Sequence, residues 1–273
     1  MYILFDIGKT RTRVAGSLDL ESFLEPRIFD TPKGYEEMIT LIAGTAKEIA
    51  NGSPIESVAG GVGCPVEKKT HSIIGGMNFP TWDGKHFQED LSLAMKAPVF
   101  LENDSALVGL GEAIHGAGKG SEIVAYITVS TGVGGVRIVK NKIDANVYGF
   151  EPGWQVFSLA EGQKYASDIL SGRSLEEAIG RKPYEVIDPG FWNDKARKLA
   201  YVLNNVIVMW SPDVVVVGGS MMKEIGISLP LTENYLKDIL KIFPTIPPIK
   251  KAELQSIGGI WGAMEFLKQK KNG

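Results

Sequence analysis

The sequence predicts an α/β protein built from two related halves, and three observations carry that expectation. Apolar runs of strand length are interspersed with segments whose apolar residues recur every three or four positions. A strand, polar glycine-containing turn, strand pattern occurs twice, around Asp6-Ile7-Gly8-Lys9-Thr10 and around Ser130-Thr131-Gly132-Val133-Gly134-Gly135, as a duplicated half would produce. Between the copies lies Gly116-Ala117-Gly118-Lys119-Gly120, which reads as a hinge. At 273 residues, 44% of them hydrophobic, the chain suffices for two domains of roughly 100 to 150 residues each.

In the first half, Met1 to Phe5 is an apolar run ending at Asp6, and Arg11 to Leu18 alternates as a second strand. A tight turn between them whose N–H groups point outward cradles phosphates, and a carboxylate at the strand end is placed to hold a hydrated Mg²⁺. The alternative is an ordinary hairpin turn. From Gly34 to Asn51 the spacing of Met38, Leu41, Ile42, Ala46 and Ile49 predicts an amphipathic helix. Ser57 to Gly63 is a strand whose glycines imply a close approach to its backbone, by a ligand or by a packed helix. Residues 64–97 read as irregular around Gly75-Gly76-Met77-Asn78-Phe79-Pro80-Thr81-Trp82. An amide beside an aromatic ring suits a sugar, with Trp82 either offering its face or anchoring the loop. Pro98 to Leu101 reads as a strand and Ser105 to Ile114 as a helix, which places Asp104 at a strand-to-helix turn. That is where open α/β sheets hold their chemistry, and also where an Asp serves as a helix N-cap.

In the second half, Ile123 to Val129 and Val133 to Val139 are strands around the repeated turn, so that a nucleotide between the two hairpins would have its phosphates gripped from both sides. Tyr148 to Trp154 is a loop holding the Glu151 carboxylate beside aromatics, suited to a sugar or simply solvated. Helical spacing runs from Leu159 to Leu170, from Leu175 to Ile179 and from Asp194 to Trp210. Val214 to Val217 is a buried parallel-type strand leading into Gly218-Gly219, where a base or ribose could lie on the backbone. The Gly-rich Ile257 to Met264 opens a terminal helix.

Composition excludes several classes. A net charge of −3 without a basic stripe argues against nucleic acid as a partner. One cysteine, Cys64, and three histidines, His71, His86 and His115, form no ligand pattern for structural zinc. With no apolar stretch of membrane length and no signal-peptide pattern, the expectation is a cytoplasmic protein without a membrane partner.

Taken together, these blocks resemble the ROK kinases, sugar kinases and related repressors within the actin/hexokinase/heat-shock-ATPase superfamily. Asp6 to Arg13 is similar to the first phosphate motif of the family, Asn78 to Trp82 and Glu102-Asn103-Asp104 to its sugar and catalytic motifs, Ser130 to Gly135 to its second phosphate motif, and Val214 to Gly219 to its adenosine motif. The resemblance, from Met1 to about Leu267, implies two ribonuclease-H-like domains of actin/hexokinase type with a cleft between them. The smaller would be residues 1–116 with a terminal helix of about 258–273 added back, and the larger residues 117–257. It implies a glucokinase-like phosphotransferase acting on a hexose or N-acetylhexosamine, with Asp104 as general base and Asn78, Asn103, Glu151 and Trp154 toward the sugar. ATP would be contacted by Gly8, Lys9, Thr10, Arg11, Thr131, Gly132, Gly218 and Gly219, with Asp6 near Mg²⁺ through water. A homodimer is also implied.

Three departures stand out. Lys9 replaces the second glycine of the usual Gly-Gly-Thr, and either reaches a phosphate or crowds it. Glu151-Pro152-Gly153-Trp154 has Trp154 where the family has a zinc-binding histidine, and the Cys-rich loop that normally follows is missing, so no zinc is expected. The second sugar-binding glutamate has Glu161, Gln163 and Asp168 as candidates. These departures motivate the rival expectation, a non-catalytic sugar-sensing protein of the same family.

Overall fold

In the computed structural model, which describes residues 1–74, 78–158, 162 and 164–272, the chain opens with strand β1 (Tyr2–Ile7) and continues through β2 (Arg11–Ser17) and β3 (Arg27–Asp30). Helix α1 (Tyr35–Ala50), β4 (Ser57–Val62), α2 (Phe87–Met95), β5 (Val99–Asn103) and α3 (Asp104–His115) follow. The second series comprises β6 (Ile123–Val129), β7 (Val133–Val139), β8 (Lys142–Ile143), β9 (Val156–Ser158), β10 (Lys164–Tyr165), α4 (Ala166–Leu170), α5 (Gly172–Ile179), α6 (Pro189–Trp210), β11 (Val214–Gly218), α7 (Leu229–Ile239) and β12 (Ile249–Lys251). Helix α8 (Gly258–Asn272) ends the chain. Two compact units result. One contains Met1–Gly111, Ala145–Gly149 and Ser256–Gly273, the other Glu112–Asp144 and Phe150–Gln255.

Each unit is built on a five-stranded mixed sheet. In the first the order is β3-β2-β1-β4-β5, with β1, β2 and β3 antiparallel and β4 and β5 parallel to β1. In the second the order, read from its β8 edge, is β8-β7-β6-β11-β12, again an antiparallel meander followed by two parallel strands. The sequence duplication is thus a duplication of topology.

Local chemistry accounts for most elements. All six residues of β1 and all five of β11 are buried, as strands with parallel neighbours and covered faces require. Helix α1 turns Met38, Ile42 and Ala46 onto one fully buried face and stops at Asn51, which adopts the left-handed conformation. Helix α6 begins at Pro189 rather than Asp194, because Asp188 caps it by accepting the Gly190 N–H at 2.8 Å and Pro189 occupies its first turn. In the first unit α8 packs on β4 and β1, close enough that a Cβ on Gly262 would overlap the Leu107 carbonyl oxygen.

Two sequence expectations are corrected, and the alternatives left open for Trp82 are decided. The stretch 64–97 is not irregular throughout: Val66 bridges Ile73, Pro80–Trp82 form one turn of 3-10 helix, and α2 buries Phe87, Leu91 and Met95, a four-residue spacing that signals the helix. Trp82 is fully buried, stacked between Phe79 and Phe87 with ring centroids 4.4 and 5.5 Å away, so it anchors the loop and offers no face to a ligand. Among the described residues of the helix expected from Leu159 to Leu170, only Ala166–Leu170 are helical, because Lys164 and Tyr165 of β10 pair with β9 as an antiparallel ladder and Gly162 has a φ of +90° that suits a turn. Residues 75–77, 159–161 and 163, including the candidates Glu161 and Gln163, lie outside the described residues.

Candidate active site

In the first unit the carboxyl ends of the parallel strands gather the polar residues. Register sets Asp6 of β1 beside Gly61 of β4, and Gly61 beside Glu102 of β5. Gly61 is glycine because a Cβ there would lie 2.8 Å from the Asp104 Cα, where α3 begins against the sheet. The close approach implied by the β4 glycines is therefore by helix α3, and by the Phe5 ring at Gly60.

Asp104 does not cap α3 in the usual way. Asn103 does so, its Oδ1 accepting the Ala106 N–H at 3.1 Å while its Nδ2 donates to the Cys64 carbonyl at 3.2 Å. Asp104 Oδ1 accepts from the Ser105 N–H at 2.6 Å and the Ser105 hydroxyl at 3.1 Å. A Cβ on Gly63 would lie 3.2 Å from Asp104 Oδ2 and 3.7 Å from Asn78 Nδ2, so this glycine keeps the space beside the second oxygen narrow but open. Asn78 Nδ2 itself donates to the Gly63 carbonyl at 2.7 Å. Loss of water around Asp104 raises its pKa, partly opposed by the two bonds from Ser105.

Asp6 is 8% exposed, and a Cβ on Gly259 of α8 would lie 2.6 Å from its carboxyl carbon. Burial, reinforced by the nearby Asp104 charge, pushes the Asp6 carboxyl up to about 7, and Arg13 works against that shift. The Arg13 Nη1 stands 3.6 Å from Asp6 Oδ2, and its buried Nε has no hydrogen-bond partner among the described residues. No role was expected for Arg13, although the hairpin register that pairs Asp6 with Arg13 follows from centring the turn on residues 8–11.

The first turn is tied down from within. The Gly8 N–H donates to the Arg11 carbonyl at 3.0 Å, and the Gly8 carbonyl accepts from the Thr31 hydroxyl at 2.7 Å. The Gly8 N–H therefore does not point outward as expected. Thr10 is exposed and Lys9 partly so, while Arg11 pairs with Asp30 at 2.7 Å on the exposed strand edge.

In the second unit Ser130, Thr131 and Gly132 meet two groups that sequence reasoning did not single out. The Ser130 carbonyl accepts the Gly172 N–H at 2.7 Å, at the start of α5, and the Ser130 hydroxyl lies 3.1 Å from that of Ser220. Ser171, fully buried, caps α5 through the Ser174 N–H at 3.2 Å. Gly132 is exposed with open space around its Cα. Gly219 has φ +101°, and a Cβ there would overlap the Val129 carbonyl, while a Cβ on Gly218 would lie 2.8 Å from the Tyr126 hydroxyl. The fold itself needs both glycines, and they bring residues 218–220 beside the turn.

Glu151 is exposed, and Trp154, 49% exposed, sets its ring edge-on to Tyr165 with centroids 4.9 Å apart. Among the described residues no group of three or more His, Cys, Asp or Glu side chains could hold a metal ion, and no helix is long and apolar enough to cross a membrane.

The chain is similar to known proteins over most of its length. The chain is 26% identical to a glucokinase of Thermotoga maritima over 88% of each sequence, and 26% identical to an N-acetyl-D-glucosamine kinase of Citrobacter koseri over 96% of this chain and 98% of the other. A solved ROK family glucokinase from Streptomyces griseus in complex with glucose and AMPPNP superimposes with a TM-score of 0.81 at 22% identity, covering 98% of this chain and 99% of that one. The two α/β units thus have the two-domain fold of that kinase. The sequence pattern of the ROK family matches residues 2–154 and 168–270, and the chain belongs to the ROK family.

Proposed function

We propose that this chain, a sugar kinase of the ROK family, transfers the γ-phosphoryl group of ATP to a hydroxyl of a hexose or N-acetylhexosamine, with Asp104 as general base. One observation carries the choice of base. Asn103 takes over the capping of α3, Ser105 binds Asp104 Oδ1, and Asp104 Oδ2 is directed to the narrow space beside Gly63 and Asn78.

In the proposed reaction the sugar hydroxyl oxygen attacks the γ-phosphorus while its proton passes to Asp104 Oδ2. The bond from phosphorus to the β–γ bridging oxygen breaks, and its electron pair leaves with ADP. The raised pKa of Asp104 makes it a stronger base than an exposed aspartate, and a base so placed supplies about 10² to 10⁴ in rate. Asn78 and Asn103 orient the sugar, with Glu151 and Trp154 toward its other side. Thr131, Gly132, Gly218 and Gly219 take the nucleotide, joined by the side chains of Lys9, Thr10 and Arg11 in the first turn, which Gly8 shapes without contacting the nucleotide. The two units serve as the two domains of the enzyme.

The Asp6 surroundings fit a divalent cation. Asp6 has the Arg13 guanidinium at 3.6 Å and the Asp104 charge nearby, and it holds its proton up to about pH 7. Mg²⁺ brought by the nucleotide, typically bound through one or two carboxylates plus phosphates, would be held by Asp6 through water and would neutralise phosphate charge.

The test is a panel of hexoses and N-acetylhexosamines with ATP and Mg²⁺, reading sugar-dependent ADP release. One sugar turns over, and Asp104→Ala lowers its kcat by at least about 100-fold with an unchanged circular dichroism spectrum. ADP release that no sugar stimulates would overturn the reading in favour of a sugar-sensing protein.

A further inference from the structure

Within the first unit, the backbone after β4 runs as a strap along the turn that carries Asp104. The Gly63 carbonyl accepts from Asn78, the Cys64 carbonyl accepts from Asn103, and Lys68 forms an ion pair with Glu102. Glu102 is only 5% exposed, and removing one partner of a buried ion pair leaves the other uncompensated. The same oxygen, Oε1, accepts both the Lys68 ammonium and the Asn103 N–H, the latter at 2.8 Å. One cation thus fixes the acceptor that holds the backbone immediately before Asp104.

The local fold aims Lys68 at that acceptor. Residues 66–73 form a tight hairpin, closed by the Glu67 N–H on the Ser72 carbonyl at 3.0 Å and the His71 N–H on the Glu67 carbonyl at 2.8 Å. The neighbouring carboxylate, Glu67, is engaged by the Thr70 hydroxyl at 2.6 Å. The Lys68 N–H donates to the Val147 carbonyl at 3.2 Å, which holds the hairpin tip in place while Lys69 remains exposed.

We propose that Lys68 is a positioning residue: it latches the strap to the end of β5 and so keeps Asn78, Asn103 and Asp104 in register for the sugar. This rests on the sugar-kinase reading above. Lys68 touches neither substrate nor reacting atoms and acts through Glu102 and the Asn103 backbone. Without it the Glu102 carboxylate loses its counter-ion, draws in water, and releases both the strap and the turn.

The experiment compares wild type with Lys68→Met, Lys68→Arg and the double variant Lys68→Met, Glu102→Gln, which leaves no buried charge behind if the single change folds poorly. Amide hydrogen exchange of residues 63–74 and 102–106 is measured on each without substrate, and KM and kcat are measured for sugar and for ATP. Lys68→Met and the double variant should lose protection in both segments and raise the sugar KM about 10- to 100-fold, as a displacement of about 1 Å would. The ATP KM should stay within about twofold, and Lys68→Arg should return close to wild type, since a guanidinium also pairs with a carboxylate. Equal changes in both KM values, or a lowered melting temperature with exchange in 102–106 unchanged, would end the proposal. If wild-type protein shows no sugar-dependent turnover, it is the sugar-kinase reading that fails, and the exchange data then decide the latch by themselves: lost protection at 102–106 supports it, unchanged protection refutes it.

Discussion

The two hairpins follow one plan and hold opposite chemistry. Aligning the ends of their first strands sets Asp6 of β1 against Thr128 of β6 and, in the turn that follows, Gly8 against Ser130, although the pairing beyond the turn is shifted by one residue: Ile7 faces Thr12, whereas Val129 faces Val133. In the first unit the strand ends carry three carboxylates, Asp6, Glu102 and, directly after β5, Asp104, and Asp6 is protonated up to about pH 7. In the second they carry hydroxyls, glycines and the capped N-terminus of α5. In the proposed reaction a duplicated frame supplies position, while side-chain identity would decide whether a strand end serves a cation and a proton or a phosphate.

The sharpest break of this comparison exchanges one atom. Asp104→Asn should lower kcat by at least about 100-fold, whereas Thr131→Val in the second turn should mainly raise the ATP KM. Because the raised Asp104 pKa reflects a charge that the folded protein holds at a cost, the melting temperature of Asp104→Asn at about pH 8 should equal or exceed that of wild type. A lower value would mean that Asp104 is chiefly a structural residue.

Next in size is a packing contrast. Gly262→Ala puts a methyl group onto the Leu107 carbonyl and should cost about 1–3 kcal/mol or more in urea unfolding. Gly132→Ala, with open space around it, should stay within about 0.5 kcal/mol and change only nucleotide affinity. Equal destabilisation by the two would contradict the close approach of α8 to α3.

A smaller effect separates the units by pH. Asp6 has a folded pKa of about 7 against 3.8 for the unfolded chain. Between those values the folded state binds a proton that the unfolded state does not, so stability falls as pH rises through this window and levels off above about 7. In magnesium-free buffer the melting temperature should drop between about pH 5.5 and about pH 8, and Asp6→Asn should flatten that part of the curve. Thr131→Val should leave the slope unchanged, and an equal slope in wild type and Asp6→Asn would show that the Asp6 pKa is not raised.

Much of the fold was legible because its signals are local. Helix α1 ends where Gly34 and Asn51 predict, and β6, β7 and β11 coincide with their apolar runs. Helix α2 was overlooked because a short helix without a side-chain N-cap follows a long connection. Placing Asp104 at a strand-to-helix turn needed only the apolar run before it and the helical spacing after it. Leu159 to Leu170 misled because apolar spacing says nothing about pairing between β9 and β10.

The sequence by itself determined the α/β class, the duplicated hairpins and the location of the candidate base, since each is written in periodicity over a few residues. Only the tertiary structure decided that Asn103 rather than Asp104 caps α3, that Trp82 belongs to the core, that Arg13 faces Asp6, and that Lys68 reaches Glu102 across 34 positions of chain. Those pairings depend on strand register and on which backbone a glycine lets approach, and neither is encoded within a single turn of helix or strand.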